Sequence, residues 1–317
     1  MRSAVLALAV ALGIVLPGCG GTVVEVDSDA SILLDFTPNA AHTGIYTAAA
    51  RGYDPDVTLH VKVPGASTDG VRLLAAGKVD FAVLDIHDLA LADAHGASLV
   101  GVMALVQRPL ASVITQPGVR SPRALAGRTV GVTGVPSDDA VLRSEVRGDG
   151  GNPAAVTTTT IGFKAVQSLL TRRVDAATAF WDVEGVALRR RRPGFRVFKV
   201  DDYGAPAYPE LVLCATRATV RDRRSLVDGV TAAIRRGYAQ TLQDPESAVE
   251  TMVERTGGLD RSLLQAELDA VQPAFQAPDG RIGELDPRRL RAWARWELRF
   301  GIVKHRPDVR RMFLLSR

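Results

Sequence analysis

One short phrase occurs twice in this chain. Lys78-Val79-Asp80-Phe81-Ala82-Val83-Leu84 places a basic residue and a Val-Asp pair ahead of a small apolar run, and Arg173-Val174-Asp175-Ala176-Ala177-Thr178-Ala179 repeats the arrangement. Such an echo is what two similarly built α/β lobes leave in a sequence. The length of 317 residues agrees, being too long for one ordinary core and suited to two domains of moderate size.

The first strand of the expected fold is Ser31-Ile32-Leu33-Leu34-Asp35-Phe36, a mostly apolar run ended by Thr37-Pro38-Asn39. A helix over 40–51 follows and stops at Gly52. In an open parallel sheet ligands bind beyond the carboxyl ends of the strands, so Asp35, Phe36, Asn39 and His42 are candidates for lining a cleft. Each also has a structural reading: Asp35 and Asn39 as acceptors for turn amides, Phe36 as core, His42 as a surface residue of the first helical turn.

Further along, 58–63 alternates as a second strand, and Ser67 or Thr68 is the natural N-cap of the helix after it, where free amides also suit an anionic or carbonyl-bearing ligand. The strand carrying the first copy of the phrase ends at Asp85, with His87 two residues on, again at a carboxyl end. The segment 117–122 is the expected passage to the second lobe. There Ser137 and Asp138 begin a helix after a small-residue loop that has no Gly-Lys-Ser/Thr, so nucleotide hydrolysis is not expected. The second copy of the phrase delivers Trp181 and Glu184, and Tyr203 follows a further strand. Helices fill 224–242, 245–256, 261–271 and 287–300; Trp293 and Trp296 in the last are expected to pack rather than to bind. The implied division is lobe 1 from 31–116 and 216–317, and lobe 2 from 117–215.

Met1-Arg2 and the apolar segment 4–16 form a secretory signal over 1–18, too short to span a bilayer. Leu16-Pro17-Gly18-Cys19 resembles the lipobox of bacterial lipoproteins, which makes Cys19 the expected lipidated residue and 19–30 a tether; the alternative is an ordinary signal with an incidental cysteine. The other cysteine, Cys214, lies in an apolar run and is expected as a small buried hydrophobe.

The stretch Asp35-Phe36-Thr37-Pro38-Asn39, then His42-Thr43-Gly44-Ile45-Tyr46, resembles the opening of the solute-binding proteins that supply ABC importers with the pyrimidine precursor of thiamine and related compounds. Phe36 stands where tryptophan is usual in that family. The phrase from Ala75 to Ala92 and the run Trp181-Asp182-Val183-Glu184-Gly185-Val186 are similar to its later landmarks. The resemblance implies an α/β, two-lobed fold of the periplasmic-binding-protein type II, each lobe a mixed, mostly parallel sheet flanked by helices with the ligand cleft between. It further implies a monomeric extracytoplasmic lipoprotein, at the outer face of the cytoplasmic membrane or in the periplasm, that hands a small molecule to an ABC permease. Relatives of this kind bind pyrimidines, riboflavin, nitrate or alkanesulfonates. The implied site comprises Asp35, Phe36, Asn39, His42, Ser67, Thr68, Asp85, His87, Ser137, Asp138, Trp181, Glu184 and Tyr203, with Trp181 or Tyr203 opposing Phe36 and a carboxylate, Glu184 or Asp35, reading an aminopyrimidine edge. A sulfonate or nitrate binder would lean instead on the helix starts at Ser67 and Ser137.

The fungal enzyme that makes the thiamine pyrimidine resembles these binders too, with a consumed histidine, a lysine holding pyridoxal phosphate and a cysteine run for iron. His42 and Lys78 occupy similar places, but only two cysteines exist in the chain, so no enzyme and no cofactor are expected. The five histidines show no paired metal-ligand spacing, no Gly-X-Ser-X-Gly occurs, and a net charge of +4 without basic, aromatic-interleaved motifs is no nucleic-acid footprint.

Overall fold

A computed structural model describes residues 29–53, 57–65 and 69–315. The signal segment, Cys19, Ser67 and Thr68 lie outside the described residues.

Two five-stranded sheets form the frame. The first contains β1 (Asp29–Leu33), β2 (Thr58–Lys62), β3 (Phe81–Asp85) and β4 (Leu99–Ala104). Between these strands run α1 (Thr43–Arg51), α2 (Gly70–Ala75) and α3 (Ile86–Ala94). The second sheet contains β5 (Ala111–Thr115), β6 (Thr129–Val132), β7 (Thr157–Thr160), β8 (Ala176–Phe180) and β9 (Arg196–Lys199), with α4 (Pro136–Gly148), α5 (Ala165–Leu170) and α6 (Glu184–Arg191) between them. The chain then returns to the first sheet as β10 (Leu211–Thr216). The strand orders are β2-β1-β3-β10-β4 and β7-β6-β8-β5-β9. In each sheet the first three of these strands are parallel and the inserted strand, β10 or β5, is antiparallel.

Sheet membership corrects the expected lobe boundaries. Strand β5 precedes residue 117 yet belongs to the second sheet, and 211–215 of β10 belong to the first. Both crossovers therefore lie earlier, at 105–110 and 204–210.

The echoed phrase has the same structural duty in both lobes. Asp80 Oδ2 accepts the Ser31 amide at 2.9 Å, tying β3 to β1, and Asp175 Oδ2 accepts the Thr129 amide at 2.9 Å, tying β8 to β6. In each lobe a carboxylate just before the central strand accepts a backbone amide of the parallel neighbour, that of Ser31 within β1 and that of Thr129 at the start of β6.

Helices after β10, namely α7 (Arg217–Asp222), α8 (Arg224–Gln243), α9 (Pro245–Thr256), α10 (Arg261–Val271), α11 (Pro287–Phe300) and α12 (Val309–Met312), cover the first lobe. Helices α1 and α8 approach closely at Gly44 and Gly237; a Cβ on Gly237 would lie 2.0 Å from the Gly44 carbonyl oxygen. Helix α11 also reaches the second lobe, where Trp296 Nε1 donates to Ser144 Oγ of α4 at 3.1 Å. Trp293 and Trp296 are buried in the core, and Cys214 is a fully buried thiol whose pKa is driven up by that burial.

Candidate functional site

A cavity of about 680 Å³ opens between the two sheets at the carboxyl ends of β1, β3 and β8. The chain reverses into helices at these ends, so backbone and short side chains face the gap rather than a neighbouring strand. Asp35, Phe36, Asp85, His87, Ser137, Asp138 and Glu184 all line it, as do Pro64, Asp69 and Gly70, which flank Ser67 and Thr68.

Asp35 is oriented from behind. Its Oδ1 lies 2.7 Å from His42 Nε2, while His42 Nδ1 accepts the Asn39 amide at 3.2 Å. A backbone N–H can only donate, so the imidazole proton sits on Nε2 and points at the carboxylate. Asn39 caps the turn, accepting the Ala41 amide through Oδ1 at 3.0 Å. Neither Asn39 nor His42 is among the lining residues, and the expectation that they line the cleft is corrected: they hold Asp35 in place. The acid and the histidine seven residues apart thus form one positioning unit around a tight turn.

Trp181 and Tyr203 are also corrected. Trp181 is buried, its Nε1 donates to the Pro109 carbonyl at 2.8 Å and Lys199 Nζ lies 3.7 Å from its ring centre, so it secures the crossover rather than the cavity. Tyr203 stacks edge-on against Phe198 in the second lobe, and its carbonyl presses on Gly148 of α4.

The aromatic opposite Phe36 is instead Phe163, in the loop after β7, with ring centres 5.6 Å apart. Phe163 is 69 % exposed and Phe36 37 %, so two apolar faces meet at the mouth with room for water or a ligand beside them. Phe180, at the end of β8, also lines the cavity. Phe163 lies in the short stretch between β7, which ends at Thr160, and α5, which begins at Ala165, so the strand-end rule applied to β7 points to it.

Carboxylates dominate the polar lining. Asp35, Asp69, Asp85, Asp88, Asp138, Glu184 and Glu210 contribute, and no lysine or arginine lines the cavity among the described residues. Lys78 is exposed and lies outside the lining. Asp138 is engaged by its own loop, accepting the Thr133 amide at 2.5 Å and the Thr133 hydroxyl at 2.6 Å. Glu184 begins α6, accepts the Phe180 amide at 3.2 Å, and has its pKa raised by burial.

At the cavity floor, Asp85 accepts the His87 amide at 2.7 Å and so caps α3. Glu210 is buried, with Oε2 accepting the Leu110 and Ala111 amides at 2.5 and 3.1 Å, which joins the two crossovers. His87 is buried against Glu297. Burial alone pulls its pKa down, but the charges of Glu297, Asp85 and Glu210 outweigh that and carry it up to about 10. Burial raises both Asp85 and Glu210; the charge of Asp85 raises Glu210 further, whereas a side-chain hydrogen bond with Glu210 acts to lower Asp85. Sequence reading missed Glu210; its only local signal is an acid placed directly before an apolar strand.

With this geometry in place, comparison with known proteins finds that the family model described as NMT1/THI5 like matches residues 39–248. A formylaminopyrimidine-binding protein of Halalkalibacterium halodurans is 28 % identical over 264 residues, covering 80 % of each chain. A protein of Legionella pneumophila named 4-amino-5-hydroxymethyl-2-methylpyrimidine phosphate synthase is 24 % identical over 263 residues, covering 79 % of this chain and 81 % of that one. Among solved structures, the periplasmic aliphatic sulphonate binding protein SsuA of Escherichia coli superposes with a TM-score of 0.74 at 17 % identity, covering 92 % of this chain and 93 % of that chain. It shares the fold of two mixed sheets, each flanked by helices.

Proposed function

The chain belongs to the NMT1/THI5-like family, and from that premise we propose that it is the solute-binding protein of an ABC importer, taking a planar aminopyrimidine related to the thiamine precursor into the cleft. The observation that carries this reading is the cavity wall: carboxylates without a lysine or arginine, beside aromatic faces from opposing lobes. Such a wall repels a sulfonate or nitrate and suits a flat ring with an exocyclic amine. Glu184 accepts from the amine and, if the ring is protonated, from the ring nitrogen; each such charge-assisted bond contributes roughly 1.5–3 kcal/mol once water is excluded. Asp35, held by His42, supplies a second acceptor from the other lobe.

Closure of the lobes around the ligand is the state a permease would recognise, and the protein acts as a monomer tethered through a lipidated Cys19 at the outer face of the cytoplasmic membrane. It performs no reaction and needs no cofactor: the histidine of the opening motif is committed to Asp35 and Asn39, and Lys78 is an exposed residue outside the cavity lining.

Calorimetry of the mature chain with 4-amino-2-methylpyrimidine, methanesulfonate and nitrate tests the reading. The pyrimidine is expected to bind and Glu184→Gln to weaken it at least tenfold. Binding of the anions alone would overturn the ligand class while leaving the fold intact.

A further inference from the structure

The outer face of α11 is strongly basic and has no acidic partners among the described residues. The chain has 39 basic and 35 acidic residues, and ten of the former but only three of the latter fall within 286–317, so the rest of the molecule is slightly acidic. Two of those ten are engaged: Arg289 donates to the Ala207 carbonyl and Arg311 pairs with Asp93. Arg288, Arg291, Arg295 and Arg299 are exposed on α11, and their spacing of three, four and four residues sets them in one stripe along the helix. Lys304, Arg306 and Arg310, in the turn that follows and in α12 packed against α11, are exposed and without acidic partners as well.

The opposite side of α11 is fixed in the core. Leu290, Trp293, Ala294 and Phe300 are buried there, and Glu297 pairs with His87 at the cavity floor. The stripe thus lies behind the floor, on the far side from the mouth at Phe36 and Phe163. A surface that docks a protein has an apolar or aromatic centre with charge at its rim. Here Leu298 is the one large apolar side chain exposed on the helix, and no aromatic is exposed beside it. Guanidinium groups without such a centre suit phosphates, whose oxygens accept their forked donors.

We propose that this basic face rests on the anionic headgroups of a lipid bilayer and turns the acidic cleft away from it, open to arriving solute. The reading of Cys19 as a lipid anchor brings that bilayer within reach, since the chain from Cys19 to Asp29 spans at most about 35 Å. The nearness of the bilayer rests on that reading, but the attraction does not. Each basic residue brought to an anionic lipid surface strengthens association roughly fivefold, and the effect fades beyond a Debye length of about 8–10 Å. Several cations on one face therefore act together where scattered ones do not.

Co-sedimentation of the mature chain carrying Cys19→Ser, which removes the anchor, with vesicles of phosphatidylcholine alone or mixed in equal parts with phosphatidylglycerol tests this. At about 0.1 M salt the mixed vesicles are expected to bind the protein at least tenfold more strongly, and at about 0.5 M salt the preference is expected to vanish. Arg288→Gln, Arg291→Gln and Arg295→Gln together should weaken that binding at least tenfold. The same change of charge on the second lobe, Arg173→Gln, Arg191→Gln and Arg196→Gln, should leave it within threefold. Both triple variants are expected to melt with the parent, because none of the six side chains has a partner among the described residues. Equal binding to the two vesicles, equal loss in the two triple variants, or binding undiminished by the α11 substitutions overturns the face while the anchor and the ligand readings stand. Retention only on vesicles that carry an ABC permease would assign the face to a protein and overturn the lipid.

Discussion

The ends of β3 and β8 occupy the same place in their two lobes and do opposite chemistry. Up to the fourth residue of each strand they agree: Asp80 and Asp175 pin neighbouring strands through hydrogen bonds of equal length, and small apolar residues fill the sheet. Then Asp85 stands where the other lobe has Phe180, Ile86 where it has Trp181, and His87 where it has Asp182. Asp85 and Phe180 both line the cavity, one as an acid and one as an apolar face. His87 and Asp182 are both buried, the first among acids that keep it charged, the second with its two oxygens unpartnered and its pKa pushed up to about 8 by burial and by Glu184, Glu267 and Asp35. The fold-bearing half of the phrase is duplicated, and the half at the cavity has diverged.

The largest expected effect concerns the shared half. Asp80→Ala should cost about 2–3 kcal/mol in urea unfolding, since it removes bonds to the Ser31 amide and hydroxyl and a 2.6 Å pair with Arg223. Asp175→Ala should cost about 1 kcal/mol, because it loses one amide bond and a looser 3.5 Å contact with Arg128. Equal costs would break the view that the first lobe's copy carries more of the stability. The hydrogen bonds from Ser31 and the Arg223 guanidinium outweigh burial and hold Asp80 below the usual carboxylate pKa. Its contribution is thus full above about pH 4 and is lost as pH falls through the lowered folded value.

Next comes the aromatic half of the ligand wall. Phe163→Ala should weaken aminopyrimidine binding about tenfold, roughly 1.4 kcal/mol, with little change in melting temperature, as Phe163 is the exposed partner of Phe36. An unchanged dissociation constant would remove the ring from that mouth.

The two buried titrating groups sharpen the contrast through pH. Asp182 has a raised folded pKa, so its burial costs nothing below about pH 4, and the cost grows until about pH 8. Asp182→Asn should therefore match the parent at pH 4 and melt higher at pH 8, by about 1 kcal/mol or more. His87 runs on a different window: its stabilising charge is complete below about pH 6.5 and is lost as pH rises towards 10. A parent protein whose melting point is flat from pH 6.5 to 10 would refute that assignment.

The smallest effect tests the correction at Trp181. Trp181→Phe loses the bond to the Pro109 carbonyl and should cost about 1 kcal/mol of stability, with ligand affinity held within threefold. A larger loss of affinity would return Trp181 to the ligand.

How much of the site was legible follows the same division. Asp35, Phe36, Asp85 and Glu184 line the cavity because strand ends in an α/β sheet face the crevice, a consequence of backbone topology that local pattern reveals. Trp181 and Phe180 are adjacent and both aromatic; which one turns to the cavity depends on the Pro109 carbonyl, 72 residues away. Glu210 was missed for the same reason, since its amide partners lie on the other crossover, 99 and 100 residues earlier.

The sequence by itself determined the α/β alternation, the duplicated Val-Asp strand and the helix ends at Gly52 and Asp286, because these depend on residues near in the chain. Only the tertiary structure decided that Phe163 opposes Phe36, that β5 and β10 exchange sheets, and that Asp85 and Glu210 share a buried floor. Those outcomes depend on which distant groups burial forces together, and local propensity carries no record of that.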